Sequence, residues 1–432
     1  MITIKLYGKL ITNSQQLTTE NISKKCKGVY KKEGLWKCVQ CGTNDADDFY
    51  SYYSKCINET ITYCRRCLLL GRMDNVNSVI ITASAKQKST AQYQLQFPLT
   101  EQQLYASTKI VEAIKVQDDL LLDAVTGAGK TEMIFNGIQY ARQHGLNVAV
   151  VSPRVDVVIE VSMRLIDAFK DEDIDVIYEG HSQQFNGHFV VATIQQLLRF
   201  KRHFDVIFID EVDAFPLAMD PILMKAIDLA SCQKYSHIYM TATPPKQLLK
   251  TIPIHKQIKL PARYHRQLLP VPTFKYLQMP SHKIQPTLLK ILKQQIKVNR
   301  ITLVFVHNIA DMKKMYSIYR RYIEGITCVY SNDGERFEKI ADLRAGRYKV
   351  IFTTTILERG FTMARLDVIV LQSQLFHTSA LIQIAGRVGR KLHACNGLVL
   401  FCHQGVSWSM ICARRKIKHM NHLAIKKGWV DA

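Results

Sequence analysis

The sequence predicts an α/β protein in which two tandem parallel-sheet lobes follow a small cysteine-rich domain. Ten short apolar runs alternate with amphipathic stretches from about residue 95 onward. Near-continuous apolar strands separated by helices are typical of a parallel sheet covered on both faces. The runs are LLLDAV (120–125), NVAVVSP (147–153), FVVATI (189–194), FDVIFID (204–210), HIYMTAT (237–243), RITLVFV (300–306), TCVYS (327–331), YKVIFTTT (348–355), VIVLQS (368–373) and GLVLFC (397–402).

A proline-punctuated stretch with Pro253, Pro261, Pro270 and Pro272 separates the fifth run from the sixth and indicates a linker. Residues 1–90 are polar and aromatic, hold six of the eleven cysteines and show little helical periodicity. We therefore expect a four-cysteine domain at 1–90, a first lobe at 91–255 and a second lobe at 256–432.

The charge indicates a polyanionic partner. Lys and Arg number 58 against 36 acidic residues, a formal net charge of +22. Such an excess favours nucleic acid or an anionic membrane surface, although a basic protein with neither partner is the alternative. No stretch reaches the roughly 18 consecutive apolar residues of a membrane span, and the first residues lack a signal-peptide cleavage site. The expected location is the cytoplasm.

Four cysteines form two C-x-x-C pairs, Cys38 with Cys41 and Cys64 with Cys67, separated by 22 residues. Paired thiolates at this spacing are typical of a closed tetrahedral Zn²⁺ site of the ribbon type. Four thiolates leave no open position for water, so the zinc is expected to be structural. Buried or redox cysteines are the alternative. Cys26 and Cys56 have no paired partner and are treated as incidental.

A glycine-rich loop follows the first apolar run and precedes a helical pattern, which is the context of a phosphate-binding loop. Gly127 and Gly129 allow backbone N–H groups to face phosphates at a helix N-terminus. Lys130 would reach the β- and γ-phosphates of ATP, and Thr131 would hold Mg²⁺. Ala124 stands where the strict pattern has Gly. The loop residues expected to bind the nucleotide are Thr126, Gly127, Ala128, Gly129, Lys130 and Thr131.

An acid pair and an arginine pair complete the predicted catalytic set. The run FDVIFID ends in Asp210, followed by Glu211, at the edge of a parallel sheet where such folds bind ligands. Asp210 would hold Mg²⁺, and Glu211 would orient and deprotonate the attacking water. Arg387 and Arg390, in QIAGRVGR, are expected on one face of a helix. If they come from the second lobe, hydrolysis depends on closure of a cleft that holds the nucleotide.

These strings together resemble the superfamily-two helicases, whose engine is a pair of RecA-like lobes. The resemblance runs from about residue 95 to 390 and implies further roles. Gln103, in LTEQQ, matches an adenine-sensing glutamine, and Thr355 begins a second-lobe element that includes Arg359 and Gly360. First-lobe nucleic-acid contacts and coupling residues are implied at Arg154, Thr193, Gln196, Thr241 and Thr243. The acid box reads DEVD, which weakens assignment to the RNA helicases named after DEAD and DEAH.

A four-cysteine module ahead of this engine resembles the ComFA family, the late-competence DNA-uptake ATPases of Gram-positive bacteria. The resemblance covers nearly the whole chain. It implies ATP-dependent translocation of single-stranded DNA, with the membrane DNA-uptake channel and the companion competence protein ComFC as partners. Self-association and peripheral attachment to the inner face of the membrane are compatible with it. The alternatives are a DNA repair, replication-restart or RNA helicase, and a DNA-binding scaffold without motor activity.

The C-terminal segment is strongly basic. Ile417, Met420 and Leu423 stand at helical spacing, which predicts a helix that covers the second lobe with a solvated basic face. The basic residues are Arg414, Arg415, Lys416 and Lys418. Contact with a DNA backbone and docking to anionic lipid are the two other interpretations.

Overall fold

The computed structural model describes residues 6–12, 22–217, 219–279, 283–358 and 362–431. The chain divides into two compact units. Unit 1 comprises Met1–Asp123 and Lys130–Lys259, and unit 2 comprises Ala124–Gly129 and Leu260–Ala432. The bounds of the three domains expected from the sequence stay a prediction.

The N-terminal part of unit 1 consists of short antiparallel strands, and residues 22–82 are called the cysteine module below. Its described residues contain 3₁₀ turns but no α-helix. The strands are β1 (Leu10–Ile11), β2 (Ile22–Lys27), β3 (Val29–Lys32), β4 (Leu35–Cys38), β5 (Phe49–Ser54), β6 (Glu59–Cys64) and β7 (Ser78–Thr82). Strand β7 pairs with β1 and β2, while β3–β4 and β5–β6 form two hairpins. The turn of the first hairpin has positive φ at Glu33 and Gly34, as two-residue hairpin turns require.

The remainder of unit 1 is built on a seven-stranded sheet. Its strands are β8 (Leu120–Ala124), β9 (Val148–Ser152), β10 (Asp175–Ile177), β11 (Phe189–Thr193), β12 (Phe204–Asp210), β13 (Ser231–Thr241) and β14 (Gln257–Leu260). The helices are α1 (Glu101–Val116), α2 (Lys130–Met133), α3 (Phe135–Gln143), α4 (Val155–Ala168), α5 (Pro221–Ala230) and α6 (Lys246–Thr251). The order is β10-β11-β9-β12-β13-β8-β14. The five pairs from β10 to β8 are parallel.

Burial explains why these runs form strands. Every residue of β8, β9 and β11 is buried, as expected for central strands covered on both faces.

Side-chain caps fix the helix starts. Thr100 and Gln103 form a capping box at α1, and Asp220 caps α5 ahead of Pro221 at the first helical position.

Unit 2 carries a second parallel sheet, in the order β15-β20-β19-β16-β18-β17. Its strands are β15 (Thr273–Tyr276), β16 (Ile301–Phe305), β17 (Ile326–Val329), β18 (Val350–Thr353), β19 (Leu366–Val370) and β20 (Val399–His403). The helices are α7 (Pro286–Lys297), α8 (Ile309–Tyr319), α9 (Arg336–Arg344), α10 (Thr378–Ala385) and α11 (Trp408–Lys426). Each of the ten apolar runs expected to be a strand overlaps one, so the predicted fold class is confirmed.

Helix α11 corresponds to the basic C-terminal segment. Ile417 and Met420 are buried and Leu423 is half-buried, while Arg415 and Lys418 are exposed. The helix therefore buries one face against unit 2, as the covering-helix interpretation expects. No helix in the described ranges is both long and apolar enough to cross a membrane.

Candidate functional site

The glycine-rich loop leaves β8 and enters α2. Gly127 and Gly129 have φ of +82° and +76°, which glycine adopts without the steric cost that a Cβ would add. Lys130 is the first residue of α2, and its Nζ lies 3.0 Å from Oδ1 of Asp210. Both side chains remain partly exposed, at 19% and 13%. The lysine and the first acid predicted for the phosphate site are thus in contact within unit 1.

Asp210 is the last residue of β12, and the chain turns sharply after it. Glu211 has φ of +54°, an uncommon conformation for a residue with a side chain and one that clusters at functional sites. Its backbone N–H donates to Oδ1 of Asp210 at 2.9 Å. The two predicted acids thus stand next to each other at the carboxyl end of β12.

Asp213, the last residue of the DEVD string, is a site residue that the sequence reasoning did not single out. The hydroxyl of Thr241 donates to Oδ1 of Asp213 at 2.5 Å, and the hydroxyl of Thr243 donates to the other carboxylate oxygen. The backbone N–H of Thr243 in turn donates to Oγ1 of Thr241 at 3.0 Å. The acid box is therefore bound directly to the predicted coupling element. The final Asp of the D-E-x-D string is the signal that could have identified it.

The other first-lobe residues lie at the ends of elements. Gln103 is buried, and its Oε1 accepts from the backbone N–H of Thr100 at 2.9 Å. Arg154 precedes α4, and its guanidinium lies 3.6 Å from the Asp156 carboxylate. Thr193 ends β11, and Gln196 lies in the 3₁₀ segment that follows it, Ile194–Arg199. The roles assigned to these residues stay predictions.

Arg387 and Arg390 do not share a helix face, which corrects the sequence-based expectation. Helix α10 ends at Ala385, Gly386 is its C-cap, and both arginines lie in the turn beyond it. Gly389 has φ of +70° in this turn, and a Cβ there would come within 2.1 Å of the Cys395 carbonyl oxygen, so the position requires glycine. Nε of Arg387 donates to the Glu358 carbonyl at 2.6 Å, and Nε of Arg390 donates to the Gly386 carbonyl at 2.9 Å.

Arg263 stabilises this turn through hydrogen bonds to its backbone. The sequence reasoning did not identify this residue either. It is 1% exposed, and its guanidinium donates to the carbonyls of Val388 and Gly389 at 2.7 Å each and to that of Gly386 at 3.2 Å. Burial, followed by the nearby charge of Arg390, lowers the pKa of Arg263 to about 9. The side chain is still protonated at neutral pH, so it donates as a cation to three main-chain acceptors.

The segment Ala124–Gly129 belongs to unit 2 and contacts the same turn. The Thr126 hydroxyl donates to the Gly386 carbonyl at 3.3 Å, and the backbone N–H of Tyr264 donates to the Gly127 carbonyl at 3.0 Å. Within unit 2, the glycine-rich loop therefore contacts Gly386, the residue just before Arg387. Thr355 begins a 3₁₀ segment that ends at Glu358. Arg359 and Gly360 lie outside the described residues.

The four paired cysteines meet in one buried cluster. Their sulfur atoms lie within 4.8 Å of one another, with Cys38 to Cys67 and Cys41 to Cys64 both at 3.7 Å. A tetrahedral zinc with Zn–S bonds of about 2.3 Å has S···S edges of about 3.8 Å. The cluster is thus compatible with zinc in both donor type and spacing. Cys26 and Cys56 lie outside it.

Two lysines of unit 1 donate to the backbone of the first cysteine pair. Nζ of Lys201 lies 2.6 Å from the Gln40 carbonyl, and Nζ of Lys225 lies 2.5 Å from the Gly42 carbonyl. Four thiolates around a divalent ion carry net negative charge, so two ammonium groups at this knuckle complement it. The cysteine module is in this way joined to the seven-stranded sheet region.

Comparison with known proteins places three regions in families. Residues 9–81 match the competence protein ComFA N-terminal domain. Residues 96–246 match the res subunit of type III restriction enzymes, and residues 285–391 match the helicase conserved C-terminal domain. The two enzyme domains identify an ATP-hydrolysing helicase engine, which implies the use of nucleotide and Mg²⁺.

Solved structures share the fold. The yeast protein Dbp5, in a structure with RNA and ADP BeF3, aligns with a TM-score of 0.55 at 14% identity over 74% of this chain and 91% of its own. RecG bound to a three-way DNA junction aligns with a TM-score of 0.54 at 16% identity over 78% of this chain and 47% of its own. These likenesses support a fold with two RecA-like lobes.

Two curated relatives span nearly the whole chain. Competence protein ComFA of Bacillus subtilis is 36% identical over 92% of this chain and 88% of its own length. Competence protein ComFA of Streptococcus pneumoniae is 30% identical over 97% and 98%. The coverage joins the cysteine module and both sheet units in one alignment, and the chain therefore belongs to the ComFA family of competence proteins.

Proposed function

We propose that this protein is an ATP-driven translocase that draws single-stranded DNA into the cytoplasm during competence. The observation that carries the proposal is the contact of Lys130 with Asp210 next to a loop with two left-handed glycines. Strands β8 and β12 deliver these groups at their carboxyl ends, where parallel sheets bind ligands. In a ComFA-family chain with both helicase domains, this geometry suits hydrolysis of ATP.

We assign the chemistry to the side chains as follows. Lys130 binds the β- and γ-phosphates, and the loop amides from Gly127 to Gly129 donate to the same oxygens. Thr131 and Asp210 hold Mg²⁺, which neutralises charge on the phosphates when it is bound. Lys130 would then exchange its carboxylate partner for phosphate oxygens. Glu211 takes a proton from the attacking water, and Gln103 reads the adenine.

Arg387 and Arg390 supply positive charge to the transferred phosphoryl group in this proposal. Such arginines contribute on the order of 10³–10⁵ to the rate of phosphoryl transfer. The contact of Thr126 with Gly386 supports the proximity of the two arginines to the glycine-rich loop. Nε of Arg387 donates to the Glu358 carbonyl, and its Nη groups would be the donors to a phosphate oxygen.

Movement would be coupled to hydrolysis through the acid box. Asp213 is bonded to Thr241 and Thr243, so a shift of the DEVD turn is passed to the coupling element. Arg154, Thr193 and Gln196 would contact the DNA strand in unit 1. Thr355 would contact it in unit 2.

The cysteine cluster is proposed to hold structural zinc, since four buried thiolates leave no position for water. The family assignment suggests the membrane DNA-uptake channel and ComFC as partners, with self-association as a further possibility. The protein would then act in the cytoplasm, either free or peripheral at the inner face of the membrane.

The deciding experiment measures ATP hydrolysis with single-stranded DNA, duplex DNA and RNA. Single-stranded DNA should stimulate turnover most. Lys130→Ala should lower the stimulated rate by roughly 10²–10³-fold, and Glu211→Gln by roughly 10²–10⁴-fold. Lys250→Ala, which removes an exposed lysine of α6, is the matched control and should leave the rate unchanged.

The same experiment separates the alternatives. Stronger stimulation by RNA, or efficient displacement of a strand from forked duplex, would indicate an RNA or repair helicase. Hydrolysis that is indifferent to every nucleic acid would contradict the translocase. Complete absence of turnover in the unaltered protein would favour a scaffold without motor activity.

A further inference from the structure

A groove of about 1060 Å³ lies within unit 1, between the cysteine module and the seven-stranded sheet. Cys41 and Arg66 of the module line one side of it. Pro153, Thr193 and Gln196 line the other side. Pockets that bury drug-sized ligands enclose about 300–1,000 Å³, so this groove has room for more than one nucleotide.

Two cations face this groove without a carboxylate partner among the described residues. Lys9 is 8% exposed, and its ammonium lies 4.4 Å from the centre of the Phe200 ring. Nε of Arg199 is buried and has no hydrogen-bond partner in the part of the chain that the structure describes. Both residues line the groove. Arg199 follows Gln196 by three positions in a 3₁₀ segment, where such residues lie on one face.

The placement of these two cations is costly without an anion. Burial, followed by repulsion from Arg199, lowers the pKa of Lys9 to about 8, and burial lowers the pKa of Arg199. Asp175 acts on Lys9 only through its charge, because its oxygens accept from the backbone N–H groups of Gln184, Phe185 and Gly187. A bound anion would offset the cost of burying two like charges.

An aromatic pair lines the same groove. The rings of Tyr178 and His181 are stacked, with centroids 5.1 Å apart and an interplanar angle of 17°. The pair closes a tight turn through reciprocal backbone hydrogen bonds, and Nδ1 of His181 is 2.7 Å from the Val176 carbonyl oxygen. Aromatic rings beside cationic side chains are the combination that binds single strands, since each base offers a face for stacking.

We propose that this groove binds single-stranded nucleic acid beyond the contacts that the helicase motifs supply. Lys9 and Arg199 contact backbone phosphates, and the Tyr178–His181 pair stacks a base. The site extends the first-lobe path from Thr193 and Gln196 toward the cysteine module. This inference rests on the single-stranded substrate proposed above and adds contacts that lie outside the helicase motifs.

The test measures binding of fluorescent oligothymidylate by anisotropy between about 0.1 and 1 M salt. Each phosphate contact on a single strand contributes about 0.7 to the slope of log K against log salt. Lys9→Gln/Arg199→Gln should therefore reduce the slope by about 1.4, which weakens binding roughly 25-fold at about 0.1 M and hardly at all near 1 M. Lys234→Gln/Lys250→Gln removes two exposed lysines outside the groove and should keep the slope.

A second pair of variants leaves the buried cations untouched. Ser182 is exposed at the groove. Ser182→Glu should weaken binding at low salt, whereas Ser182→Gln, of equal size, should not. Tyr178→Leu should weaken binding about fivefold or more at every salt concentration, because stacking does not depend on counterions.

The outcomes distinguish the two proposals. If the unaltered protein fails to bind oligothymidylate, the single-stranded substrate is wrong, and with it this site. If it binds but the slope is unchanged in Lys9→Gln/Arg199→Gln and binding survives Ser182→Glu, only the groove is excluded. Equal competition by polyglutamate, with no effect of Tyr178→Leu, would indicate an acidic protein as the ligand and overturn the proposal.

Discussion

The cysteine module and the seven-stranded sheet belong to the same unit but are stabilised in different ways. Strand β2 of the module buries none of its residues, whereas β8, β9 and β11 are buried throughout. The module buries its four thiols together with a few apolar side chains such as Val29, Met73 and Val79, and the sheet spreads its burial over many aliphatic and aromatic side chains. We therefore expect the module to depend on the zinc proposed for its thiols, and the sheet to depend on apolar packing.

The largest effect is expected from loss of a cysteine ligand. Structural zinc contributes on the order of 10 kcal/mol to the folding of small modules. Cys38→Ser should release zinc and unfold residues 22–82 while the sheet stays folded. Hydrogen exchange by mass spectrometry, together with zinc analysis, checks both halves of this result. Unchanged metal content and protection in the module would contradict the zinc assignment.

A core substitution should show the opposite pattern. Phe208 lies in β12 and is fully buried, so Phe208→Ala should lower the free energy of unfolding by about 3–5 kcal/mol. Urea denaturation measures this loss, and the zinc content of the folded protein should not change. Phe97→Ala, at a position that is 75% exposed, is the control. Zinc loss without a change in the urea midpoint would break the comparison.

Low pH should lower the stability of the seven-stranded sheet because two histidines are buried there. Burial lowers the pKa of His203 and His237 to about 3, below the usual value of 6.5. The folded state therefore binds fewer protons, and its stability is complete above pH 6.5 and falls as the pH drops toward 3. Between about pH 6.5 and 5 each histidine accounts for about 2 kcal/mol.

His237→Gln should accordingly remove about 2 kcal/mol from the difference in unfolding free energy between about pH 7 and 5. Urea denaturation at both values measures it. Because acid also releases zinc from thiolates, the comparison is made between variants and not between pH values alone. An identical pH dependence in His237→Gln would show that this histidine is not the origin.

The smallest effect is expected at a cysteine outside the cluster. Cys56 is exposed and lies near the turn of the second hairpin. Cys56→Ser should change stability by no more than about 0.5 kcal/mol and should leave zinc content unchanged. A larger loss would mean that the module depends on thiols beyond the four that meet.

Local patterns predicted the fold well because buried parallel strands are continuous apolar runs. The four cysteines were also predictable, since their spacing carries the information. The turn at Arg387 was not, because the lack of space for a Cβ between Gly389 and the Cys395 carbonyl is not visible in the local sequence. Nor was Arg263, whose acceptors lie more than a hundred positions away. The groove cation Lys9 escapes sequence reasoning for the same reason.

The hydrogen bonds from Arg263 to the turn that contains Arg387 are accepted only by backbone carbonyl oxygens. Val388 could change to another apolar residue and Arg263 would keep all three carbonyl acceptors. Its hydrogen bonds go to the backbone of the turn and not to side chains. Position 263 has no such latitude, because a shorter or uncharged side chain would leave several carbonyls without their donor. Over evolutionary time Val388 is free to change, whereas Arg263 is not.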